Sequence, residues 1–428
     1  MPDPNEEIAQ LKERIAQLET CYRITSLLNT ELNLNNLLDS IMEIAKKVMK
    51  ADACSLLLLD EKSNELVFQV ALSEVSAEIK NMARLKVGQG IAGMVAETGK
   101  PLILDDAYSH PQFNPAFDKK TGFNTGALIC APLKAKDQII GVCQVIYRRE
   151  QGKTFDENDE ELFGLFCDSA ALAIQNARLH EVLMENQRFE KDMQFAQAVQ
   201  ESFLPATPPQ HDNFLFAAQT RPALVVGGDY YDFMRFDDDS LGILLGDVSG
   251  KGVPAALQMA RLMSDFRFIS QSEPAPERVL AEINSILCAR SYRGMFTTTM
   301  YLLLDLKHRK IQIANAGHHP ALLCNSAKQV REIGVDSGTP LGVLPNVEYR
   351  CEEVALEPGD RILIYTDGVT EPKNTQDEQF GLERLQALLV SENGSPQAFI
   401  EKLEQAIQKH IGQAPQFDDL TCLAIQTR

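Results

Sequence analysis

Hydrophobic residues recur along this chain with two different spacings, which divide it into helical and strand-rich segments. Between residues 6 and 30 the apolar side chains are three or four positions apart and are separated by Glu, Lys, Arg and Gln; they are Ile8, Leu11, Ile15, Leu18 and Tyr22. This is the heptad spacing of a helix that pairs with another helix. Because the pattern is only about two to three heptads long, an amphipathic helix packed on its own domain is an equally good interpretation. We predict a helical segment over residues 1–30, which packs either on another helix or on its own domain.

Residues 31–175 alternate between helical and strand patterns and predict one α+β domain. A helix is expected to end at Met49, and apolar runs predict strands at 54–59, 66–70, 127–131 and 139–146. Gly88, Gly90 and Gly93 lie between them in a Gly-x-Gly-x-x-Gly pattern. The simplest interpretation of these glycines is a tight turn that opens a helix. A phosphate-binding loop is the less favoured alternative, because this pattern is a weak signal outside a dinucleotide-binding unit.

A single long helix is predicted from residue 166 to residue 203, because neither Gly nor Pro occurs before Pro205. Its apolar seam keeps the three-four spacing and consists of Leu179, Val182, Asn186, Phe189, Met193, Ala196, Gln200 and Phe203. Polar seam positions fix the register of a coiled coil at a cost in stability. We predict a coiled-coil linker over residues 176–204, and a homodimer, because a lone helix would leave this seam in water.

Residues 205–428 predict a second α+β domain, a layered sandwich of sheets with helices outside. Strands are expected at 215–219, 241–245, 298–304, 311–315, 361–365 and 421–425. Helices are expected at about 252–270, 277–290, 381–391 and 397–411.

Four aspartate motifs in this second domain carry its candidate chemistry. They are Gly-Gly-Asp229-Tyr-Tyr-Asp232, Gly-Asp247-Val-Ser-Gly, Tyr-Thr-Asp367-Gly and Phe-Asp418-Asp419-Leu-Thr. Each motif follows or opens an apolar run, so its carboxylate is expected at a strand end, where distant segments can converge. Mg²⁺ and Mn²⁺ prefer such oxygen ligands, and two bridged ions can activate water against a phosphate ester. The motifs therefore predict metal-dependent phosphate hydrolysis.

The order of these motifs resembles the bacterial PP2C-like metal-dependent serine/threonine phosphatases of the stage II sporulation protein E type. The phrases between the aspartates share this resemblance; they are Gly-Lys-Gly-Val-Pro-Ala-Ala from Gly250, Phe-Thr-Thr-Thr-Met from Phe296, Asn-Ala-Gly-His-His-Pro from Asn315 and Pro-Gly-Asp from Pro358. Several short motifs in register are far more specific than any one alone. The resemblance implies an α-β-β-α sandwich with the metal site in the cleft between two antiparallel sheets.

The resemblance also implies a role for each aspartate. The site would hold two or more Mn²⁺ or Mg²⁺ ions. Asp247 would bridge two of them, and Val248 would contribute its main-chain carbonyl. Asp229 would bind one ion, directly or through water, and Asp367 and Asp418 would bind another. Asp419 is counted with the metal-binding residues, with orientation of its neighbour as an alternative, and Asp232 is an outer candidate or a turn cap. These catalytic residues, Asp229, Asp247, Asp367 and Asp418, would act through metal-activated water.

The functions of three further features of the second domain are not decided by their sequence pattern. Gly250-Lys251-Gly252 has no glycine at the first position of a P-loop and no hydroxyl residue after the lysine, so nucleotide hydrolysis by that route is disfavoured. His318 or His319 could give a proton to the leaving group, although a structural turn is the favoured interpretation. Arg221 is the nearest candidate for binding the substrate phosphate.

Residues 31–175 resemble a GAF domain, a sensory fold with a six-stranded antiparallel sheet and flanking helices. The resemblance rests on the run from Val87 to Pro101, on Leu-Asp-Asp from Leu104, and on Ala-Pro-Leu from Ala131 followed by Ile-Gly-Val. It implies a pocket for a small-molecule ligand. Phe155-x-x-x-Asp159-Glu160 matches the cyclic-nucleotide-binding members, but Tyr147-Arg148 stands where those members carry Asn-Lys, so the residues of a ligand site are not assigned.

The net charge and the composition of the chain argue against several classes of binding partner. The 428 residues include 41 basic and 60 acidic ones, a net charge of −19, which argues against nucleic acid and anionic membranes as partners. No apolar run approaches the ~20 residues of a membrane helix and the first residues do not resemble a signal peptide, so a cytoplasmic location is expected. Nine cysteines are spread singly, which indicates reduced and mostly buried thiols.

The sequence therefore predicts a metal-dependent phosphoserine/phosphothreonine protein phosphatase that a GAF sensor regulates. By resemblance, its substrate would be a phosphorylated STAS-domain antagonist of an anti-sigma factor in a bacterial partner-switching pathway. The alternative is a catalytically silent binding module, which the presence of all four aspartate motifs disfavours. A cyclic-dinucleotide synthase is also disfavoured, because Tyr230 and Tyr231 follow Gly-Gly-Asp where such enzymes need an acidic residue and an aromatic one.

Overall fold

The computed structural model describes residues 26, 28, 30–72, 84–237, 239–290 and 294–428 of the chain. The helical prediction for residues 1–30 therefore lies almost entirely outside the described residues. The chain divides into two compact units, residues 1–188 and 189–428. Among the helices of the described ranges, none is long and apolar enough to cross a membrane.

The first unit is built on one antiparallel sheet of six strands. The strands are β1 (Ala53–Asp60), β2 (Glu65–Leu72), β3 (Arg84–Lys86), β4 (Leu102–Leu104), β5 (Thr125–Ala135) and β6 (Gln138–Arg148), in the order β3-β2-β1-β6-β5-β4. The helices of this unit are α1 (Leu34–Val48), α2 (Gly90–Thr98) and the short α3 (Ala116–Thr121). The four predicted strands of this unit lie within β1, β2, β5 and β6.

The three glycines lie where the chain turns from β3 into the first turn of α2, as their simplest interpretation predicted. Gly88 and Gly90 have φ values of +85° and +68°, which side chains other than glycine rarely adopt. A Cβ atom on Gly93 would lie 2.6 Å from the Lys86 carbonyl oxygen, so this position requires a glycine for close packing. The pattern is therefore explained by backbone geometry at the start of α2.

One helix, α4 (Glu157–Glu201), replaces the predicted helix over 166–203. It begins nine residues earlier because Asp156 and Asp159 cap its first turn, each accepting a hydrogen bond from the other's backbone N–H. Its first part is buried in the core of the first unit, where Phe163, Phe166 and Ile174 pack beside strand residues. Leu179, Val182 and Phe189 of the predicted seam are more than half exposed.

The C-terminal end of the predicted seam contacts its own chain instead of a second helix. Phe203 lies beyond the helix, whose last turn tightens over Ser202–Leu204 before Pro205. The side chain of Gln200 bonds the backbone of Gly227 in its own chain. The seam can therefore serve a helical partner only in its exposed part.

The second unit is a sandwich of two sheets. One sheet has the order β14-β11-β10-β9-β8, with β15 on β11; these strands are β8 (Tyr230–Arg235), β9 (Ser240–Val248), β10 (Thr297–Asp305), β11 (Lys310–Ala316), β14 (Ser337–Gly338) and β15 (Cys351–Ala355). The other has the order β13-β12-β16-β17-β7; its strands are β7 (Phe214–Arg221), β12 (Ala321–Cys324), β13 (Val330–Ile333), β16 (Arg361–Tyr365) and β17 (Leu420–Thr427). Side chains of both sheets, including Ile243, Leu302, Ile364 and Leu423, form a common core.

Helices cover the outer face of each sheet. The first sheet packs against α5 (Val253–Ser272) and α6 (Pro276–Arg290), and the second against α8 (Gly381–Ser391) and α9 (Pro396–Ile411), while the short α7 (Asp367–Thr370) follows β16. All six strands and four helices predicted for this unit are present within a few residues of their expected bounds. The layered α-β-β-α sandwich is confirmed.

Candidate functional site

The four predicted catalytic aspartates lie at strand ends of both sheets. Asp229 directly precedes β8 and Asp247 is the penultimate residue of β9, both in the first sheet. Asp367 begins α7 directly after β16, and Asp418 lies two residues before β17, in the second sheet. The strands from the two sheets end at the same side of the sandwich. The fold therefore brings together residues that are up to 189 positions apart in the sequence.

Two of these carboxylates, the buried Asp229 and the half-buried Asp247, are close enough for their charges to interact strongly. Burial raises the pKa of Asp229 well above its usual range, and the neighbouring Asp247 carboxylate raises it further. Burial also raises the pKa of Asp247, to about 7, with added repulsion from Asp367, Asp418 and Asp419. The Thr366 hydroxyl donates a hydrogen bond of 2.8 Å to Asp229 Oδ2 and fixes that carboxylate. This concentration of negative charge is what a divalent cation would neutralise.

Asp367 and Asp418 form the more exposed side of the cluster. Burial raises the pKa of Asp367, and the charge of Asp418 adds to this effect. Asp418 Oδ2 lies 3.1 Å from the ammonium nitrogen of Lys251 in an ion pair. Asp418 is thus near enough to Asp367 for their charges to interact, and Lys251, which the sequence did not predict as part of the site, pairs with Asp418.

Asp419 holds the Gly-Gly loop that precedes Asp229. Its carboxylate accepts hydrogen bonds of 2.7 Å from the backbone N–H groups of Ala223 and Gly228, and a longer one from Asp229. A Cβ atom on Gly227 would lie 2.3 Å from Asp419 Oδ2, so this contact requires a glycine. Orientation of neighbouring groups is the use of Asp419 that these contacts support; its place among the metal-binding residues stays a prediction.

Val248 and Gly228 show a second close approach of backbone at the site. Val248 is buried, and a Cβ atom on Gly228 would lie 2.8 Å from its carbonyl oxygen. The carbonyl of the preceding Asp247 accepts a hydrogen bond of 2.7 Å from the Thr297 hydroxyl. The two glycines of the Gly-Gly-Asp motif are therefore needed for close packing, Gly227 against Asp419 and Gly228 against the end of β9.

Asp232 belongs to the core of the sandwich. Its Oδ2 lies 2.6 Å from Nε of Arg267 on α5, and its Oδ1 accepts a hydrogen bond from the Phe233 backbone. Arg267 also donates to the Phe203 carbonyl at 2.6 Å. The contacts of Asp232 thus connect β8, α5 and the segment after α4. They support a structural role for Asp232, instead of the predicted turn cap or outer residue of the metal site.

His318 is a structural residue, as the favoured interpretation held. It is buried, its Nδ1 is 2.9 Å from the Thr298 hydroxyl, and its Nε2 is 3.0 Å from the Tyr365 carbonyl. Burial lowers its pKa to about 3, so it is neutral near pH 7. Both ring nitrogens are engaged within the protein, which leaves none for a leaving group. His319 is exposed and stacks on the Tyr365 ring, 6.0 Å between centroids.

Arg221 lies at the end of β7, near the rim of the site. It shares the lining of a small surface cleft with Lys373 and Asp418. Its guanidinium is 3.3 Å from Glu404 Oε1. The ion-pair partner of Arg221 is therefore Glu404 on α9, and not one of the four aspartates.

The donor set of the site suits a hard cation. The clustered side chains are carboxylates, which Mg²⁺ and Mn²⁺ prefer. Burial, together with the repulsion between these carboxylates, raises the pKa of Asp229, Asp247 and Asp367. Within the described ranges, no three His, Cys, Asp or Glu side chains are already gathered at ligand distance of one point. Cation binding would thus draw these carboxylates closer.

The first unit contains a cavity of about 340 Å³ between its sheet and α2. Phe68, Leu85, Phe113, Phe123 and Ile146 provide apolar lining, and Ser55, Asp118, Thr125 and Gln144 provide polar groups. This size and mixture are typical of small-molecule sites. The Phe155, Asp159 and Glu160 pattern lies at the start of α4, where the contacts of Asp159 are those of a helix cap.

Two sequence families match the two units. Residues 33–174 match the family described as GAF domain, and residues 237–428 match the family described as Stage II sporulation protein E (SpoIIE). The first match covers nearly all of the predicted domain 31–175, and the second covers residues 237–428 of the predicted domain 205–428.

Curated relatives and a solved structure agree with these matches. Protein IcfG of Synechocystis sp. is 27% identical over 261 residues, 55% of this chain and 41% of the relative. Phosphoserine phosphatase RsbU of Bacillus subtilis is 30% identical over 185 residues, 43% of this chain and 55% of the relative. The chain thus spans about half the length of these relatives.

The SiaA-PP2C domain of Pseudomonas aeruginosa has the same fold, with a TM-score of 0.51 and 22% identity, over 57% of this chain and 99% of that domain. The chain therefore combines a GAF domain with a second domain that matches the SpoIIE family and has the PP2C fold.

Proposed function

We propose that this chain is a Mn²⁺- or Mg²⁺-dependent phosphoserine/phosphothreonine protein phosphatase. The observation that carries the proposal is the meeting of Asp229 and Asp247, from one sheet, with Asp367 and Asp418, from the other, at one side of the SpoIIE-type sandwich. The relative named phosphoserine phosphatase RsbU supports the same reaction.

The residues of the chain have distinct tasks in this reaction. Asp247, the carbonyl of Val248, Asp229, Asp367 and Asp418 would hold the cations, which supply a water of lowered pKa for attack on phosphorus. Thr366 fixes Asp229 by its hydrogen bond, and Asp419 fixes the loop before Asp229. The buried setting of Asp229 and the half-buried setting of Asp247 strengthen electrostatic interactions with charge that develops on the phosphoryl oxygens.

For the substrate, we propose a phosphorylated STAS-type antagonist of an anti-sigma factor. This follows from the resemblance to the stage II sporulation branch. Exposed apolar side chains near the loops of the site, Leu224, Val253 and Phe417, suit a folded protein better than a free phosphate ester. Incubation with a panel of phosphorylated STAS domains and unrelated phosphoproteins, followed by phosphate release, tests this choice.

For regulation, we propose that a small molecule in the cavity of the GAF domain changes the activity, and that the chain is a homodimer through the exposed part of α4. The cavity combines apolar walls with polar groups, and the exposed Leu179, Val182 and Phe189 offer an apolar surface for a second copy. The alternative, a catalytically silent binding module, would keep both domains but release no phosphate.

The experiment that separates these functions is hydrolysis of p-nitrophenyl phosphate and of a phosphoserine peptide by the full chain, with Mn²⁺, with Mg²⁺ or with EDTA. Turnover that requires the metal and is lost in Asp247→Asn and Asp367→Asn is the expected result. Asp305→Asn serves as the matched aspartate control, because Asp305 is partly exposed and lies in the same sheet, at the end of β10 away from Asp247. The absence of turnover under all conditions would support the silent module.

A further inference from the structure

Lys251 lies beside the acidic cluster of the second unit, although its motif was not assigned a function. Its Nζ is 3.1 Å from Asp418 Oδ2 and also donates a hydrogen bond to the Phe417 carbonyl. The same nitrogen lies 3.9 Å from the centre of the Phe417 ring. About a third of the side chain is exposed. The ammonium group is thus held at the mouth of the site and is accessible from solvent.

The loop that carries Lys251 explains how the lysine reaches this position. It connects β9, which ends after Asp247, with α5, which begins at Val253. Gly250 and Gly252 flank the lysine with φ values of +96° and +72°, a conformation that favours glycine. The two glycines turn the chain on either side of Lys251, so the lysine and Asp247 belong to one short, tightly folded segment.

A positively charged side chain at this point would offset the negative charge that a phosphate meets at the site. A phosphate monoester carries close to two negative charges near pH 7, and it must approach several carboxylates. Divalent cations offset the charge of the carboxylates, but the approaching phosphoryl group then needs a further positive partner. A lysine ammonium is well suited to bind phosphate as a compact point charge.

Other basic side chains near the rim are already paired with acidic groups away from the cluster. Arg221 pairs with Glu404 at 3.3 Å, and Lys373 pairs with Asp377 at 2.8 Å. Among the ion pairs of the described residues, the pair of Lys251 with Asp418 is the one that includes a predicted metal-binding aspartate. Position and pairing therefore distinguish Lys251 from the earlier candidate, Arg221.

We propose that Lys251 binds the phosphoryl group of the substrate, donating a charge-assisted hydrogen bond from Nζ to a non-bridging oxygen, while the Phe417 ring holds the ammonium in place. This inference rests on the proposed phosphatase function and names its substrate-binding residue. Lys251 would exchange its contact with Asp418 for the substrate oxygen, as Asp418 takes part in cation binding.

The test compares Lys251→Met and Lys251→Arg with the wild-type full chain, and uses Lys373→Met as the matched control. We expect Lys251→Met to lower kcat/KM about tenfold to hundredfold for both p-nitrophenyl phosphate and the phosphoserine peptide, since one charge-assisted hydrogen bond is lost. Lys251→Arg should keep most of the activity, and Lys373→Met should match the wild type.

Calorimetric titration with inorganic phosphate in the presence of Mg²⁺ provides a measurement that does not depend on turnover. Phosphate should bind Lys251→Met at least about tenfold more weakly, while Mg²⁺ alone binds as in the wild type. Unchanged phosphate affinity in Lys251→Met, or a parallel loss of Mg²⁺ affinity, would overturn the proposal. A loss of activity confined to the phosphoserine peptide would also overturn it, because that pattern indicates proton donation to the leaving group. A wild-type chain without metal-dependent turnover would refute the phosphatase function itself, whereas the calorimetry would still report on Lys251.

Discussion

The side-chain amide of Gln200 forms two hydrogen bonds with the backbone of Gly227, two residues before Asp229. Its Nε2 donates to the Gly227 carbonyl at 2.6 Å, and its Oε1 accepts from the Gly227 N–H at 3.1 Å. Gln200 belongs to the last turn of α4, and Gly227 also contacts the Asp419 carboxylate. The end of the long helix is thus connected directly to the loop that positions a predicted metal-binding residue.

We predict that Gln200→Ala lowers kcat/KM by about tenfold, because the loop before Asp229 loses two hydrogen bonds. Metal-dependent hydrolysis of p-nitrophenyl phosphate is the measurement, with circular dichroism to confirm that the helix persists. Gln194→Ala, an exposed position on the same helix, is the control and should retain full activity. Equal activities of the two variants would contradict a role for this contact.

Substitutions of the neighbouring residues Asp418 and Asp419 are expected to have different effects on stability, although both should abolish activity. Asp418→Asn should abolish activity with little change in stability, because the asparagine oxygen can still accept from the Asp419 N–H. Asp419→Ala should abolish activity and also lower the free energy of unfolding by about 1 to 3 kcal/mol, since the N–H groups of Ala223 and Gly228 lose their acceptor. Urea unfolding beside the activity assay separates the two effects. A fully stable Asp419→Ala variant would show that water replaces the carboxylate.

His318 should make the second unit less stable in mild acid. The imidazole has a pKa of about 3 in the folded protein and about 6.5 in an unfolded chain, so unfolding takes up a proton between these pH values. The stabilisation is fully present above about pH 6.5 and decreases by about 2 kcal/mol by pH 5. In His318→Gln, the slope of the unfolding free energy against pH should decrease by about one proton over this range. His319→Gln, which changes an exposed ring, should leave the slope unchanged; an identical slope in both variants would refute the prediction.

The exposed part of α4 is expected to hold two copies of the chain together. Leu179 and Val182 are each more than half exposed on the helix. The double variant Leu179→Glu/Val182→Glu should therefore sediment as a monomer, if the wild type sediments as a dimer. Leu257→Glu, which changes an equally exposed leucine on α5, is the control and should not alter the mass. A wild-type monomer at micromolar concentration would contradict the predicted homodimer.

The sequence was most informative where function and regular structure share a short segment. The aspartate motifs are local, and the apolar runs beside them predict the strands that carry them, so the general position of the site could be inferred. The strand β8 was not assigned, because Tyr230 to Arg235 mixes aromatic and charged residues and its inward side is decided by packing under α5. Short strands such as β14, with two residues, have no pattern of their own.

Contacts between distant segments could not be predicted in the same way. The pair of Lys251 with Asp418 spans 167 positions, and the bonds of Asp419 with Ala223 span 196. Nothing in the local pattern of Gly250-Lys251-Gly252 shows which segment the lysine will meet. The same limit explains Gln200, which was assigned to an intermolecular seam because its spacing fits one, while its side chain bonds Gly227.

Residues at the end of α4 also decide where the second unit begins. Gln200 bonds the backbone of Gly227, and the Phe203 carbonyl accepts a hydrogen bond from Arg267 of α5. Both residues precede Pro205, yet they belong to the second unit, which starts at Phe189. A shortened chain that begins at Pro205 would lack both contacts and would leave the loop before Asp229 without Gln200. A fragment for expression of the second unit should therefore begin at or before Phe189 and keep the last turns of the helix.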